Sequence, residues 1–443
     1  MDDALCIFGA AREAGRATAL RIGARSWSFA ELARLVRERL DAGGLPAPGA
    51  GPWPLTATAT LETLVTLYAL LQRGVPAMLL HPRHTAHEHE QALAAARAAA
   101  APLPADAAVV LWTSGTTGAP RGVVLTRRAL LASAAASAAN MGWEQDDCWL
   151  LAMPLARVGG LSIVTRCLAA RRCVALAAAF DPVQLPQWIA EQRITLASLV
   201  PTMLAQCLDA HPHWTPPPHL RAIQLGGAPA PARLLQRAAE RRLPIVVTYG
   251  CTETASQVVT TPYAGRHEAA RHAAGRPLPG VELRIAEDGR ILVRGPMLMA
   301  GYLGEPPLEP GAWFDTGDRG ACDAQGCLHV HGRGAELIVT GGENVFPAEV
   351  ERVLESCPGI EEAGVFGTPD ETWGQIVSAC IVSRGAPPAD DILCAHLARH
   401  LASYKRPRRI AFVAALPHSP AGKLDRAALA AASASLRPLP CRT

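Results

Sequence analysis

Between Trp27 and about Val330, helix-like stretches alternate with short runs that are apolar at successive positions: DAAVVLW (106–112), ITLASLV (194–200), RAIQLG (221–226) and PIVVTYG (244–250). A strand with one wet face alternates apolar and polar residues, so runs without alternation are expected as strands buried on both faces of a parallel sheet. ARLLQRAAERR (232–242) has the pattern of a helix that covers such a sheet. After Gly332 the units shorten: a helix from about Pro347, strands near EAGVFG and IVSACIV, a helix at DILCAHLARHL and a strand at RIAFVA. Proline suits the first turn of that helix. The pattern predicts the α/β class, with a large N-terminal domain of buried parallel sheets and covering helices, then a small α+β C-terminal domain of about 110 residues.

The most apolar stretch, LVTLYALLQRGVPAMLL (64–80), is broken by Gln72, Arg73, Gly74 and Pro76. It reads as a buried helix, a turn and a strand, not as a membrane span. The opening MDDALCIFGAAREAG has no basic region followed by an apolar core, so no secretory signal is read and the cytoplasm is the default. Twelve cysteines include no C-x-x-C pair, and the crowded Cys322, Cys327, His329 and His331 do not match zinc spacings. Free, mostly buried thiols in a reducing compartment are expected.

A net charge of +3 on 443 residues gives no reason to expect a nucleic-acid partner, and the arginine pairs are scattered. Lysine is a different matter. Of the 42 basic residues only Lys405 and Lys423 are lysine, and Lys423 stands in SPAGKLDR (419–426). In a chain this biased toward arginine, a retained lysine marks a place where a compact ammonium serves and a planar guanidinium does not.

The sharpest chemical signal is WTSGTTGAPRGVVLTRRAL (112–130), where an apolar strand runs into a loop of Gly, Ser and Thr before a helix begins. Freed backbone amides and hydroxyls there make a cradle for phosphate oxygens, although the glycines Gly115, Gly118 and Gly122 fit neither a P-loop nor a dinucleotide fingerprint. A ligand-free polar turn is the bland alternative. Four further stretches accompany it: LGGAP (225–229), YGCTETASQ (249–257), FDTGDRG (314–320) and GRGAELIVTGGENVFPAEVE (332–351). Two follow expected strands, which puts them with the loop at the carboxyl edge of the sheet, where α/β folds bind ligands.

With SPAGKLDR these motifs form one ordered set, and the chain resembles the adenylate-forming superfamily of acyl-CoA synthetases, luciferases and peptide-synthetase adenylation domains from about residue 27 to 430. The resemblance implies a body of residues 1–332, a hinge at 333–336 and a small mobile domain of 337–443 that carries Lys423. It implies that Thr113, Ser114, Gly115, Thr116, Thr117 and Gly118, with Arg121 where relatives carry lysine, hold the β- and γ-phosphates of ATP. Gly226, Gly227, Ala228, Tyr249 and Gly250 would line the adenine, Thr252 would contact the α-phosphate, and Glu253 would bind Mg2+, a hard cation that takes oxygen ligands. Asp318 and Arg333 would hold the ribose, and Gly341, Gly342 and Glu343 would lie along the path of CoA, with Trp373 and Gly374 nearby. At the hinge, Ala335 stands where relatives carry Asp or Lys.

The chemistry asks for these parts. A carboxylate is a poor electrophile, so joining it to a thiol requires a leaving group, which attack on the α-phosphorus of ATP supplies as AMP. Two anions meet in that step, and a cation between them counts for about 3 kcal/mol if it resembles one oxyanion-hole donor. Lys423 is assigned that place; the plain alternative is a surface lysine at a helix start. No chemical role is read for Lys405. Within the superfamily, YGCTETASQVVT, GGENVFPAEVE and the short stretch before the phosphate loop are most similar to the o-succinylbenzoate:CoA ligases of menaquinone synthesis. Those relatives carry an aromatic–His pair where this chain has Ala156 and Arg157, in PLARVGGLSI with Gly160. Arg157 is either exposed or faces the acyl pocket and pairs with a second substrate carboxylate. Another aryl- or acyl-CoA synthetase, a carrier-protein-loading ligase and a non-catalytic adenylate binder remain as alternatives, and a homodimer is left open.

Overall fold

The structure, a computed structural model, describes residues 4–84, 86–99, 101–113, 121–268, 274–333, 338–340, 343–370, 373–401, 403–419, 424–431 and 435–441. The chain divides into two compact units, one of Met1–Gly227, Ala238–Arg284 and Leu292–Thr316, the other of Ala228–Arg237, Ile285–Ile291 and Gly317–Thr443.

In the first unit all four doubly apolar runs are strands: Ala107–Thr113, Leu196–Leu199, Ala222–Leu225 and Ile245–Cys251. The last three lie side by side in a nine-stranded sheet, ordered Arg276–Pro277, Ser256–Thr260, Ile245–Cys251, Ala222–Leu225, Leu196–Leu199, Cys148–Leu151, Cys173–Leu176, Thr18–Ile22 and Arg25–Ser28. Its middle, from Ile245–Cys251 to Thr18–Ile22, is parallel, and antiparallel strands close both edges. Leu196, Ala222, Ile223 and Leu225 are fully buried, as non-alternating strands between helical layers must be.

At the amino ends of three neighbouring strands, Asp147, Thr195 and Arg221 form a buried polar staple. Arg221 Nε donates to Asp147 Oδ1 at 2.7 Å, Arg221 Nη2 pairs with Asp147 Oδ2, and the Thr195 hydroxyl donates to Asp147 Oδ1 at 2.7 Å. Arg221 also binds the carbonyls of Met141 and Gly142, which end the helix Arg127–Met141. The staple fixes the register of strands whose opposite ends carry candidate site loops.

Ala107–Thr113 belongs to a second sheet, ordered Gly301–Tyr302, Arg121–Thr126, Ala107–Thr113, Ala77–Leu80 and Trp53–Thr56. This corrects the expectation of one shared sheet edge, because a doubly apolar run reveals burial but not its strand partners. A second correction falls on the residues after the phosphate loop. RGVVLT forms the strand Arg121–Thr126, antiparallel to Ala107–Thr113, and the helix starts only at Arg127. The β-branched run of Val123 and Val124 favours the strand, and Thr126 caps the helix through its hydroxyl to Ala129 N–H at 3.1 Å. The stretch 64–80 is, as expected, a helix (Leu61–Arg73), a turn at Gly74 with φ 70°, and the strand Ala77–Leu80. Among the described residues no helix is long and apolar enough to cross a membrane.

In the second unit, the latter part of the strand Phe314–Cys322, from Asp318, pairs antiparallel with Leu328–Arg333. A six-stranded sheet joins Ile338–Thr340, Glu343–Val345, Ile360–Asp370, Gly374–Ser383, Arg409–Phe412 and Arg437–Pro438, with the helices Pro347–Glu355, Asp390–His400 and Arg426–Ala431. Val350, Leu354, Val365, Ile381, Leu393 and Leu397 build its core. Lys405, which had no chemical role, has a structural one: Nζ binds both oxygens of Glu349 at 2.7 and 2.9 Å. The cysteines depart from expectation at one pair, since Cys394 and Cys441 are disulfide-bonded with Cα atoms 5.1 Å apart while ten others are free. Forty-seven residues separate the pair, so no spacing announces it. Of the crowded group, Cys322 is exposed, His329 faces Asp323 at 3.1 Å, and His331 packs on the Phe346 ring.

Candidate active site

The strand Ile245–Cys251 carries Tyr249 and Gly250 at its carboxyl end and passes into the tight turn Thr252–Thr254. Thr254, fully buried, pins that turn: its hydroxyl accepts from Cys251 N–H at 3.0 Å and donates to the Ser256 carbonyl at 2.7 Å. The backbone then crosses two unusual residues, Ala255 and Ser256, with φ of 49° and 106°. Such conformations cost of order 1–3 kcal/mol each and persist where the surroundings over-determine them. Here Ser133 donates to the Ala255 carbonyl at 2.8 Å, and Arg166 donates to the Ser256 hydroxyl at 3.2 Å. The strain holds Thr252 and Glu253 in a fixed presentation.

Glu253 is oriented from the second sheet. Met299 N–H donates to the Glu253 carbonyl at 2.8 Å, and three residues later the Tyr302 hydroxyl donates to Glu253 Oε1 at 3.1 Å. Burial, then the Glu253 charge, push the Tyr302 phenol well above its ordinary value, so it stays a donor. Arg121 lies over the Tyr302 ring, 3.3 Å from its centre, and pairs with Glu305 at 2.7 and 2.9 Å. Arg121 and Glu253 thus flank one tyrosine. The planar, stackable guanidinium suits this position in a way an ammonium would not. Thr113, which opens the phosphate loop, donates to the Arg121 carbonyl at 3.4 Å across the base of the loop.

A carboxylate with one oxygen held by Tyr302 is a hard-oxygen donor of the kind that fits Mg2+. Tyr302→Phe is expected to raise the magnesium concentration for half-maximal turnover about tenfold, the weight of a hydrogen bond to a charged group. Unchanged magnesium titration curves for AMP formation would refute that.

Gly226 and Gly227 come directly after Ala222–Leu225, next to Ile245–Cys251 in the same parallel run. A Cβ on Gly226 would collide with the Thr248 side chain, so only glycine lets this loop lie against the neighbouring strand. Gly227 takes φ 82°, and Ala228 comes next in the chain. Tyr249 and Gly250 sit at a register shift where Gly250 faces Gln257. The loop after Ala222–Leu225 and the turn after Ile245–Cys251 therefore leave the ends of adjacent strands.

Arg157 starts the helix Val158–Ala170 without capping it and is exposed, its Nη1 3.4 Å from the Trp112 carbonyl. Gly160 is buried against the Pro154 carbonyl, where a side chain would not fit. Around Arg157 the charges are mixed, Arg83 and Arg157 opposing protonation of His81 and Glu88 favouring it. Burial, then the Arg157 charge, lower His81 to about 4, and burial also lowers His84. The Arg157 guanidinium is itself lowered by desolvation and by Arg83.

Sequence reasoning missed Tyr302, Glu305 and Arg166. Arg166 is fully buried, donates to Gln224 Oε1 at 3.1 Å as well as to Ser256, and is lowered by burial to about 10. It ties the strand before Gly226 to the turn after Glu253. Its position inside an apolar helix was a usable signal, because a buried arginine must be held by something.

In the second unit, strand register sets Asp318 directly opposite Arg333, the two residues expected at the ribose. Trp373 is 38% exposed and leads into the strand Gly374–Ser383. Glu343 opens the strand Glu343–Val345. Ser114, Gly115, Thr116, Thr117, Gly118, Ala335, Gly341, Gly342 and Lys423 lie outside the described residues.

Two family descriptions match in the order of the motifs: AMP-binding enzyme over residues 96–303, and AMP-binding enzyme C-terminal domain over 349–423. The 2-succinylbenzoate–CoA ligase of Geobacillus kaustophilus (strain HTA426) is 42% identical over 336 residues, spanning 72% of this chain and 68% of that relative. The fold is similar to that of o-succinylbenzoate CoA synthetase from Bacillus subtilis in complex with its acyl-adenylate intermediate, with TM-score 0.82, 31% identity and coverage of 97% of this chain and 98% of that one. The same synthetase in complex with ATP and magnesium ion gives TM-score 0.80 at 30% identity, over 94% and 97% of the two chains. By these matches, and by the site motifs they enclose, the chain belongs to the AMP-binding enzyme family.

Proposed function

We propose that this chain is an ATP-dependent, AMP-forming acid:CoA ligase acting on o-succinylbenzoate in menaquinone synthesis. The observation that carries the chemistry is the turn presenting Thr252 and Glu253, with Glu253 oriented by Tyr302; similarity to the succinylbenzoate ligases supports the acid. In the first half-reaction a substrate carboxylate oxygen attacks the α-phosphorus of ATP and the bond to pyrophosphate breaks, leaving acyl-AMP. In the second, the CoA thiolate attacks the acyl carbon and AMP leaves with the electron pair of the C–O bond.

Within this reading Thr113 and Arg121, with Ser114 to Gly118, hold the β- and γ-phosphates; Gly226, Gly227, Ala228, Tyr249 and Gly250 receive adenine; Asp318 and Arg333 take the ribose; Gly341 and Gly342 lie toward CoA. Thr252 addresses the α-phosphate. Glu253 would hold Mg2+, which would supply charge neutralisation on the phosphates. The partition into a body of 1–332, a hinge at 333–336 and a small domain of 337–443 belongs to the same reading, as does a cytoplasmic location. Light scattering decides between a monomer and the homodimer that the sequence leaves open.

The acyl pocket carries the specificity. o-Succinylbenzoate has one carboxylate to activate and one to spare, and we assign the spare one to Arg157, whose exposed guanidinium at the start of the helix Val158–Ala170 is open to a ligand. Loss of a charge-assisted bond costs about 1.5–3 kcal/mol, so Arg157→Ala is expected to raise KM for o-succinylbenzoate about ten- to hundredfold while sparing a monocarboxylic aryl acid. Equal increases for both acids would remove Arg157 from the pocket. The reading as a whole is tested by AMP formation from ATP, Mg2+ and a panel of acids, with and without CoA. Turnover confined to o-succinylbenzoate and dependent on CoA supports it; turnover with another acid keeps the mechanism and moves the pathway.

A further inference from the structure

Arg166, on the helix Val158–Ala170, is 2% exposed, and its guanidinium reaches two other elements at once. Nη1 donates to Gln224 Oε1 at 3.1 Å, Nη2 donates to the Ser256 hydroxyl at 3.2 Å, and Cζ stands 5.6 Å from the centre of the Trp149 ring. Among the described residues no carboxylate pairs with it, and Nε is buried without a partner. Burial lowers the group, yet it stays charged at pH 7. A cation taken out of water without an anion to meet it is costly. Stability alone therefore gives no reason for an arginine here.

What its two arms connect gives one. Ladder pairing between Ala222–Leu225 and Ile245–Cys251 ends at Leu225 opposite Val247. Beyond that point one strand passes into the glycine loop at Gly226 and the other into the turn Thr252–Thr254. Gln224 stands just before the first of these, and its Nε2 donates to Met141 Sδ at 3.1 Å, which sets the direction in which Oε1 faces. Ser256 stands just after the second. Its hydroxyl accepts from Arg166, its carbonyl accepts the Thr254 hydroxyl at 2.7 Å, and Thr254 Oγ1 accepts Cys251 N–H at 3.0 Å. An unbroken series of hydrogen bonds thus runs from Arg166 to the residue that enters the turn of Glu253. A planar fork with two diverging nitrogens can serve both strands, whereas an ammonium offers one nitrogen.

We infer that Arg166 is a positioning residue for magnesium-bound ATP, fixing the spacing between the loop at Gly226 and the carboxylate of Glu253. The inference rests on the reading of those two elements as the adenine loop and the magnesium ligand. With the spacing set beforehand, base and metal are engaged together without further ordering of the protein.

The test is titration calorimetry of ATP into the full chain without acid, so that nothing turns over, once with saturating Mg2+ and once with a chelator. The ratio of the two affinities reports how far base and metal are engaged together. Arg166→Met, similar in length and uncharged, is expected to lower that ratio about tenfold, the weight of a hydrogen bond to a charged group, and to leave the magnesium-free affinity within about threefold. Arg166→Lys, which keeps the charge and one of the two bonds, should lower it less. Ser256→Gly tolerates the φ of 106° and removes only the hydroxyl. It should lower the ratio as Arg166→Met does, and the double variant should lose little more, because both changes cut the same link. Arg166→Lys and Ser256→Gly carry the test if Arg166→Met does not fold. An unchanged ratio, equal weakening with and without Mg2+, or additive losses in the double variant would overturn the inference. Glu253→Gln, measured alongside, separates the layers. A ratio unaffected there refutes the magnesium reading and the inference together, whereas a ratio lost there and kept in the Arg166 variants refutes the inference alone.

Discussion

Lys423→Ala is expected to lower the rate of acyl-adenylate formation by about 10²–10³-fold, the effect of removing one preorganised donor from a site of developing charge. The carboxylate and the α-phosphate repel each other as they close, and a point charge between them acts most in the transition state, so kcat should fall much more than KM rises. Lys423→Arg should recover little of this. A guanidinium is larger, planar and less concentrated in charge, and the chain uses arginine nearly everywhere else that a cation is needed. Pyrophosphate release at saturating ATP and acid measures the step directly. A mutant within about threefold of the wild type would return Lys423 to the surface, against an expected loss of at least two decades.

Asp147→Ala is expected to destabilise the protein by about 3–5 kcal/mol, because it strands the Arg221 guanidinium inside the nine-stranded sheet. The Asp147 side chain is completely buried and that of Arg221 is 7% exposed, so water does not replace the lost partner. Burial opposes ionisation of Asp147, but the Arg221, Glu144 N–H and Thr195 hydrogen bonds outweigh it and hold the carboxyl below its ordinary value. A lowered folded-state pKa stabilises the fold above the unfolded value of about 4 and loses that effect as pH falls through the folded value. The Tm difference between wild type and Asp147→Ala should therefore be flat from about pH 5 to 8, about 5 °C in size, and shrink in stronger acid. A difference that grew with acid would contradict the assigned charge states.

Much of this could be read from the chain. Non-alternating runs located the strands Leu196–Leu199, Ala222–Leu225 and Ile245–Cys251, because burial on both faces leaves a local mark. The loops after two of them fell beside each other, since adjacent parallel strands deliver their carboxyl ends to one edge. The hidden part depends on partners distant in sequence. Arg121 meets Glu305 across 184 residues and Tyr302 meets Glu253 across 49, and no periodicity encodes either. The strand Arg121–Thr126 was missed for a different reason. Coming after a Gly-rich loop, it stood where α/β proteins commonly begin a helix, yet its β-branched residues pair it back on Ala107–Thr113. Arg166 and the disulfide were visible as residue types but not as neighbours.

The antiparallel return alters how the phosphate loop can be regarded. A loop that opens a helix borrows positive potential from aligned peptide dipoles; here the chain continues as the strand Arg121–Thr126, which has no such supply. The strained turn after Glu253 carries a related lesson. Ser256 holds a backbone angle at which glycine would rest more easily, and keeps it for a hydroxyl that accepts from Arg166. Selection for heat resistance and selection for turnover pull in opposite directions at that one position. A library ranked only on survival of heating would drift toward glycine there and lose the tether that links the turn Thr252–Thr254 to the strand beside it.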